Sequence, residues 1–314
     1  MLKHFLTFEK NISELEGKIE DLKHISSNSD LNIAEEIGKL QNKVFDELTN
    51  TYSSLNPWQK VQVARHPDRP QFQDVIEHLV DDYLSLGGDR LFGNDNALTG
   101  GLGYFRNKKV LLLGIDKGKN TNDRISRNFG MARPEGYRKA IRLMELANKF
   151  NLPVLSFVDT AGAYPGKGAE ERGQAQAIAS SIDACLKLKT PMISTILGEG
   201  GSGGAIALTA GNVILMFEHS VFSVISPEGC ASILWRDATK ANEAAKALKL
   251  TAKDMEKLGI IDQIIQEPLG GAHRDYEVSL KNLGDSIELK LNELLKFDQQ
   301  ELKIIKQNKY LKIS

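Results

Sequence analysis

Eight residues, Gly198-Glu-Gly-Gly-Ser-Gly-Gly-Ala205, contain five glycines. The apolar run Pro191–Leu197 precedes them and reads as a buried strand. Ala205–Ala210 follows and reads as the start of a helix. A strand that ends in bare backbone and turns into a helix N-terminus leaves its N–H groups unblocked. Such a turn attracts negative charge. That charge is either a stable phosphate or an oxyanion that exists only during a reaction.

Three familiar motifs overlap here. Gly198, Gly200 and Gly203 match G-x-G-x-x-G, and Glu218 supplies an acid about 20 residues on, as a dinucleotide fold wants. Against this, only Ala205–Ala210 is available as a crossover helix before Gly211-Asn212, and a parallel crossover needs roughly a dozen residues. Gly200-Gly-Ser-Gly-Gly204 also fits the G-x-S-x-G turn of serine hydrolases. Ser202 would be the nucleophile, Asp237 or Asp262 the acid and His273 the base. The third motif, the phosphate loop of nucleotide-binding proteins, fails, because Gly204 and Ala205 stand where Lys and Ser/Thr are required.

The chain has 314 residues, enough for one large domain with an appendage. Its 40 Lys/Arg and 41 Asp/Glu balance to a net charge of −1, so no global charge draws it to nucleic acid or anionic membrane. Two cysteines, Cys185 and Cys230, are too few for a disulfide framework or a Cys-rich zinc site. No apolar run approaches a membrane span, and Met1–Lys10 lacks a signal-peptide core. A soluble, cytoplasmic protein is expected, with no metal of its own.

Four regions follow from the patterning. In residues 1–55, Phe8, Ile12, Leu15, Ile19 and Leu22 recur at steps of four and three, as do Ile33, Ile37, Leu40, Val44 and Leu48. That predicts an antiparallel helical hairpin, with a capping loop at 26–30. Residues 56–72 hold three prolines and read as a linker in which His66 and Arg69 are ordinary loop residues. Residues 73–275 alternate strands, turns and helices. Strands are predicted at Val110–Ile115, Pro153–Val158, Val213–Phe217 and Val221–Ile225. Helices are predicted at Pro134–Ala147, at Gln174–Leu188, and after Ser226-Pro227 as cap and first turn. Adjacent strand pairs per helix make this a ββα type of α/β domain. Residues 276–314 form a helical tail, with Val278, Leu283, Ile287, Leu291 and Leu294 at helical spacing. Lys117–Arg142 carries eight Lys/Arg against Asp123 and Glu135. It reads either as a solvated face or as a patch for a phosphate-bearing cofactor or acidic partner.

Several segments together are distinctive: Asn128-Phe-Gly-Met131, Pro134-Glu-Gly-Tyr-Arg-Lys-Ala140, Phe157-Val-Asp-Thr-Ala-Gly-Ala-Tyr-Pro-Gly166 and Gly168-Ala-Glu-Glu-Arg-Gly-Gln174. The glycine turn, Val224–Trp235 and Glu267-Pro-Leu-Gly-Gly-Ala-His-Arg274 complete the set. To about residue 275 the chain resembles the carboxyltransferase alpha subunits of multi-subunit bacterial acetyl-CoA carboxylases. Leu250-Thr-Ala and Leu258–Asp262 resemble the closing helix and strand of the crotonase superfamily. The family usually has proline where Ala132 and Ala161 stand. Ala161 leaves its loop freer without removing a chemical group.

The resemblance implies a crotonase-like ββα spiral core. It implies carboxyl transfer from carboxybiotin, borne on a biotin carboxyl carrier protein, to acetyl-CoA. The product is malonyl-CoA for fatty acid synthesis, within an ATP-dependent complex that includes biotin carboxylase. It also implies that the amides of Gly203 and Gly204 form an oxyanion hole for biotin's ureido oxygen. Gly200 and Gly201 would shape the loop, and Gly162, Ala163 and Tyr164 would line the biotin pocket. The reaction makes two enolate-like oxyanions, and backbone amides suit them because they are rigid and do not titrate. One glycine hole is present, so the second is expected on a beta subunit that bears a zinc ribbon, in an assembly of two alpha and two beta chains. A serine hydrolase and a non-catalytic scaffold are the alternatives.

Overall fold

The computed structural model describes residues 4–25 and 31–313. The capping loop expected at 26–30 lies outside them. α1 (Lys10–Ile25) and α2 (Leu31–Ser53) pack together, with Ile12 near the start of one against Leu48 and Tyr52 near the end of the other. The hairpin is tied to the body by charge. Glu9, 1% exposed, accepts from Tyr52 Oη at 2.9 Å and pairs with Arg274 at 3.2 Å.

Residues 56–72 depart from the linker reading. Asn56 and Gln59 cap each other's backbone, and Pro57 occupies the first turn of α3 (Pro57–Ala64). There a missing N–H costs nothing, so this proline starts a helix rather than breaking one. Lys60, Val61, Val63 and Ala64 are buried. Arg69 is 2% exposed and meets Glu267 through two bonds of 2.9 Å. It also donates to the Leu197 carbonyl at 2.7 Å, so it is a core ion pair and not a loop residue.

α4 (Phe72–Leu79) leads into an antiparallel meander of β1 (Val80–Ser85), β2 (Leu98–Phe105) and β3 (Lys108–Ile115). The chain continues through α5 (Thr121–Ser126), α6 (Pro134–Phe150), β4 (Val154–Thr160), α7 (Lys167–Glu170) and α8 (Gln174–Lys187). Next come β5 (Met192–Gly201), α9 (Ser202–Thr209), β6 (Val213–Phe217), β7 (Val221–Ser223) and α10 (Pro227–Trp235). α11 (Ala241–Ala247), α12 (Ala252–Lys257), β8 (Gln263–Ile265), α13 (Tyr276–Leu294) and α14 (Gln299–Leu311) complete it.

The sheet runs β1-β2-β3-β4-β5-β6-β8 and is parallel from β3 onward. β5 is shared. Its Ile193–Ile196 half pairs with β6, and its Glu199–Gly201 end pairs with β7. This is the ββα arrangement expected, with β5 longer than foreseen because β7 draws the first glycines into the strand. β3 shows why its sequence is a solid apolar run. Leu111 and Leu113 face α6, α8 and α9, while Val110 and Leu112 face α4 and α13. A parallel sheet covered on both faces wants no polar alternation. In α13, Leu283, Ile287, Leu291 and Leu294 are buried as expected, whereas Val278 is 42% exposed. Both cysteines are buried and free.

The C-terminal helix is docked in part through a buried cation. Lys306 in α14 is 1% exposed and donates to the carbonyls of Cys185 and Leu188 at 2.7 and 3.0 Å, at the C-terminal end of α8. A helix C-terminus is where a positive charge is best placed. Burial still lowers the Lys306 amine from 10.5 to about 8. Between those values the unfolded chain holds more protons than the folded one, so this lysine's contribution to stability grows as pH rises. Melting wild type and Lys306→Met side by side from pH 8 to 10 should show a gap that widens in favour of wild type. A constant gap would contradict the assignment.

Candidate functional site

β4 and β5 are parallel neighbours, and ligands of such sheets sit beyond the carboxyl ends of strands. Their pairing shifts between Val158 and Thr160, so Thr160 lies opposite Gly200. The two loops then converge. A Cβ on Gly201 would overlap the Ala161 carbonyl. One on Gly204 would lie 2.7 Å from Ala163 N and 3.1 Å from Tyr137 Oη. Only glycine permits this approach.

α9 begins at this contact. No side chain caps it, and its first-turn amides, those of Gly203 and Gly204 among them, have no acceptor within the helix. Ser202 enters the helix at φ +54°, a conformation unusual for a residue with a side chain. Gly203 is half-buried and meets only Ile178 in the direction of a Cβ, at 3.2 Å. The turn is therefore a rigid, uncapped helix N-terminus beside the loop of residues 161–164. Electrostatically it can hold an anion or stabilise one that forms.

The structure brings Gly162 and Ala163 against Gly204, while Gly200 faces Phe222 of β7. Tyr164 differs. Its backbone N–H donates to the Ala132 carbonyl at 3.0 Å, and its ring lies 4.8 Å from the Arg133 guanidinium. Thr160 Oγ1 accepts from Gly162 N at 3.0 Å and reaches the Gly130 carbonyl at 2.6 Å, tying in a third loop. That loop is strained, with Asn128 and Phe129 at φ +47° and +55°.

A buried charge cluster underlies the turn, and sequence reasoning missed it. Glu199 N donates to Asp159 Oδ1 at 2.8 Å. Lys117 Nζ lies 2.7 Å from Glu199 and 2.9 Å from Asp159. Arg65 holds Glu199 at 2.6 Å and Glu228 at 2.5 Å. Burial alone pushes the Glu199 carboxyl upward, but Lys117 and Arg65 outweigh it and hold it at about 2. The signal available was one acid inside a glycine turn and another at the adjacent strand end. Nothing marked Arg65 as their partner.

Much of the basic segment is paired within the fold. Lys119 pairs with Asp74, Arg127 with Asp123 and Asp116, and Arg138 with Asp89 and Glu135. Lys139 is 1% exposed and donates to Asn94 and the Asp95 carbonyl at 2.7 Å. Lys119 and Arg138 thus meet acids from distant parts of the chain, while Arg127 and Arg138 also pair within the segment.

The hydrolase constellation does not assemble. His273 stacks on His66 at 3.7 Å and shares with His4, Phe5 and Asp68 a cavity that Ser202 does not line. Burial lowers it to about 2, too far for a base at neutral pH. Asp262 is taken by Ile214 N and Lys309, and Asp237 caps Thr239. The dinucleotide reading needs a correction of its own. The eight residues of α9 do complete a parallel crossover between β5 and β6, so length does not exclude it. What opposes it is Asp159 and Glu199 beside Gly198, where pyrophosphate would meet two carboxylates. Among the described residues no group of three or more His, Cys, Asp or Glu could hold a metal ion, and no helix is long and apolar enough to cross a membrane.

Comparison with known proteins agrees with this geometry. Residues 5–314 match the model of the family described as acetyl co-enzyme A carboxylase carboxyltransferase-like. The chain is 55% identical over 310 residues to the acetyl-coenzyme A carboxylase carboxyl transferase subunit alpha of Rhodospirillum centenum, covering 99% of this chain and 98% of that protein. It is 54% identical to the subunit of the same name from Paramagnetospirillum magneticum, with the same coverage. Among solved structures, transcarboxylase 12S superimposes with a TM-score of 0.55 at 20% identity, over 68% of this chain and 41% of that one. A Pseudomonas malonate decarboxylase hetero-tetramer superimposes with a TM-score of 0.56 at 15% identity, over 65% and 82%. At those identities the two structures speak for the crotonase-like fold. The sequence relatives and the family model, which spans nearly the whole chain, go further: the chain belongs to the acetyl co-enzyme A carboxylase carboxyltransferase-like family, and within it to the carboxyl transferase alpha subunits.

Proposed function

We propose that this chain provides the carboxybiotin-side half of a shared active site. The carboxyl group passes from carboxybiotin on the biotin carboxyl carrier protein to acetyl-CoA, giving malonyl-CoA in the first committed step of fatty acid synthesis. Gly203 and Gly204 N–H donate to the ureido oxygen as negative charge builds there. The observation that carries this is the uncapped start of α9, held rigid against the loop of Gly162 and Ala163. Donors that need no reorganisation are worth most where charge develops. Gly200 and Gly201 set the turn, and Gly162 and Ala163 wall the pocket. Tyr164 contributes its backbone more than its ring.

Among the described residues α7 and α8 also start uncapped, behind Gly166 and Gly173, but neither follows directly on a strand as α9 follows β5. The thioester oxygen is therefore assigned to a beta subunit, in a cytoplasmic assembly of two alpha and two beta chains that biotin carboxylase supplies. Exposed apolar residues near the site support a subunit contact. Val224, Ile233 and Leu234 are 69, 72 and 64% exposed, and α10, which carries the last two, begins at Ser226-Pro227 beside Gly200 and Gly201. In this reading residues 73–275, with 56–72 built into them, carry the chemistry. The hairpin of 1–55 and the tail of 276–314 buttress it.

Substitution at Gly203 is the cleaner probe, because a side chain at Gly204 displaces the 162–163 backbone. Gly203→Val, assembled with a beta subunit, should lose carboxyl transfer by roughly 100-fold or more while still co-purifying with its partner. Turnover equal to wild type would refute the oxyanion role. Ser202→Ala should keep turnover within about threefold, because the hydroxyl does no chemistry in this reading. Loss of all activity in that variant would restore the nucleophile reading.

A further inference from the structure

Glu199 is the one charged residue inside the glycine turn, and it is 8% exposed. A carboxylate there opposes the turn's task, since like charge beside a forming oxyanion raises its energy in a poorly screened site. Something must cancel it. Arg65 is shared with Glu228 and belongs to the end of α3, outside both loops. Lys117 differs, because its Nζ touches an acid from each strand end, Asp159 of β4 and Glu199 of β5. The Asp159 oxygen that takes Lys117 is also the one that accepts the Glu199 backbone N–H. The stem is gripped as well. A Cβ on Gly130 would lie 2.8 Å from Lys117 Cγ, so the strained Asn128–Gly130 loop closes over the lysine only because glycine stands there. A cleft of about 100 Å³ lined by Arg65, Lys117, Phe129 and Asp159 opens this cluster to solvent.

We propose that Lys117 is a positioning residue for carboxyl transfer: it fixes the spacing of the Asp159 and Glu199 loops and neutralises Glu199, so that the Gly203 and Gly204 amides face a developing anion without an opposing charge. This rests on the function proposed above. The charged groups facing Glu199 are Lys117, Arg65, Asp159 and, through Arg65, Glu228. Asp116 and Arg127 form the next layer at 3.5 Å from each other. Losing Lys117 leaves Glu199 beside Asp159 with only an arginine that it shares with Glu228, which favours protonation of Glu199.

The test uses the full chain assembled with a beta subunit, assayed by biotin-dependent decarboxylation of malonyl-CoA. Lys117→Met should lower kcat roughly 10- to 100-fold with KM for biotin changed less than about threefold. Adding Glu199→Gln to Lys117→Met should recover about tenfold, because the uncancelled charge is gone. A tether with no electrostatic role would make the double variant slower still. The activity of Lys117→Met should also rise as pH falls toward 5, a limb that wild type lacks. On the chain alone, hydrogen exchange at the Glu199 amide should speed up in Lys117→Met while amides of α13 keep their protection. Unchanged kcat, a double variant no faster than the single, or unchanged exchange at Glu199 would each overturn the proposal. A wild-type complex without carboxyl transfer would refute the functional reading instead, and the exchange measurement would still decide the role of Lys117.

Discussion

The site depends on how closely two loops approach. Gly201 lies against the Ala161 carbonyl and Gly204 against the Ala163 amide, with no room for a methyl group at either contact. Everything near the turn follows from that approach. The β4–β5 register shifts to allow it, β7 pairs with the end of β5 to steady it, and Ser202 enters α9 at positive φ because of it. The glycines supply no chemistry themselves. They let backbone stand where side chains would otherwise be, and backbone amides are the donors a transient oxyanion requires.

Such a turn would be soft if only van der Waals contact held it. The charge cluster below supplies the stiffness. Asp159, Glu199, Lys117 and Arg65 come from four separate stretches of chain, and Glu199 lies within 3 Å of each of the other three. A similar device operates one layer down, where Arg69 fills the end of β5 and is held by Glu267 at both nitrogens. Glu267 in turn accepts from His219 N and Ala272 N, at 2.8 and 2.7 Å. Desolvating such ions is costly, and it is tolerable here because nearly every lone pair has a donor.

Much of this was legible in the sequence. The apolar runs of β3, β4 and β6 have no other reading, and Ser226-Pro227 marks the start of α10 because a capping hydroxyl and a missing N–H fit only there. The glycine turn announced its own chemistry. What stayed hidden were relations between distant residues. Pro57 looked like a breaker and is a helix start, because the same fixed φ serves both roles. Arg69 looked like loop and is core, because its partner Glu267 lies 198 positions away. The pairing of Lys117, Lys119 and Arg138 was hidden because their acids, Asp159, Asp74 and Asp89, lie elsewhere in the chain. Periodicity reports burial along one element and is silent about pairing across the fold.

The central claim is that this chain holds one oxyanion site of two. The measurement that bears on it most directly is biotin-dependent decarboxylation of malonyl-CoA, by this chain alone and by this chain mixed with a beta subunit. The account predicts activity in the mixture and none in the chain alone. Turnover by the isolated chain would place both oxyanion sites within it and contradict the shared active site.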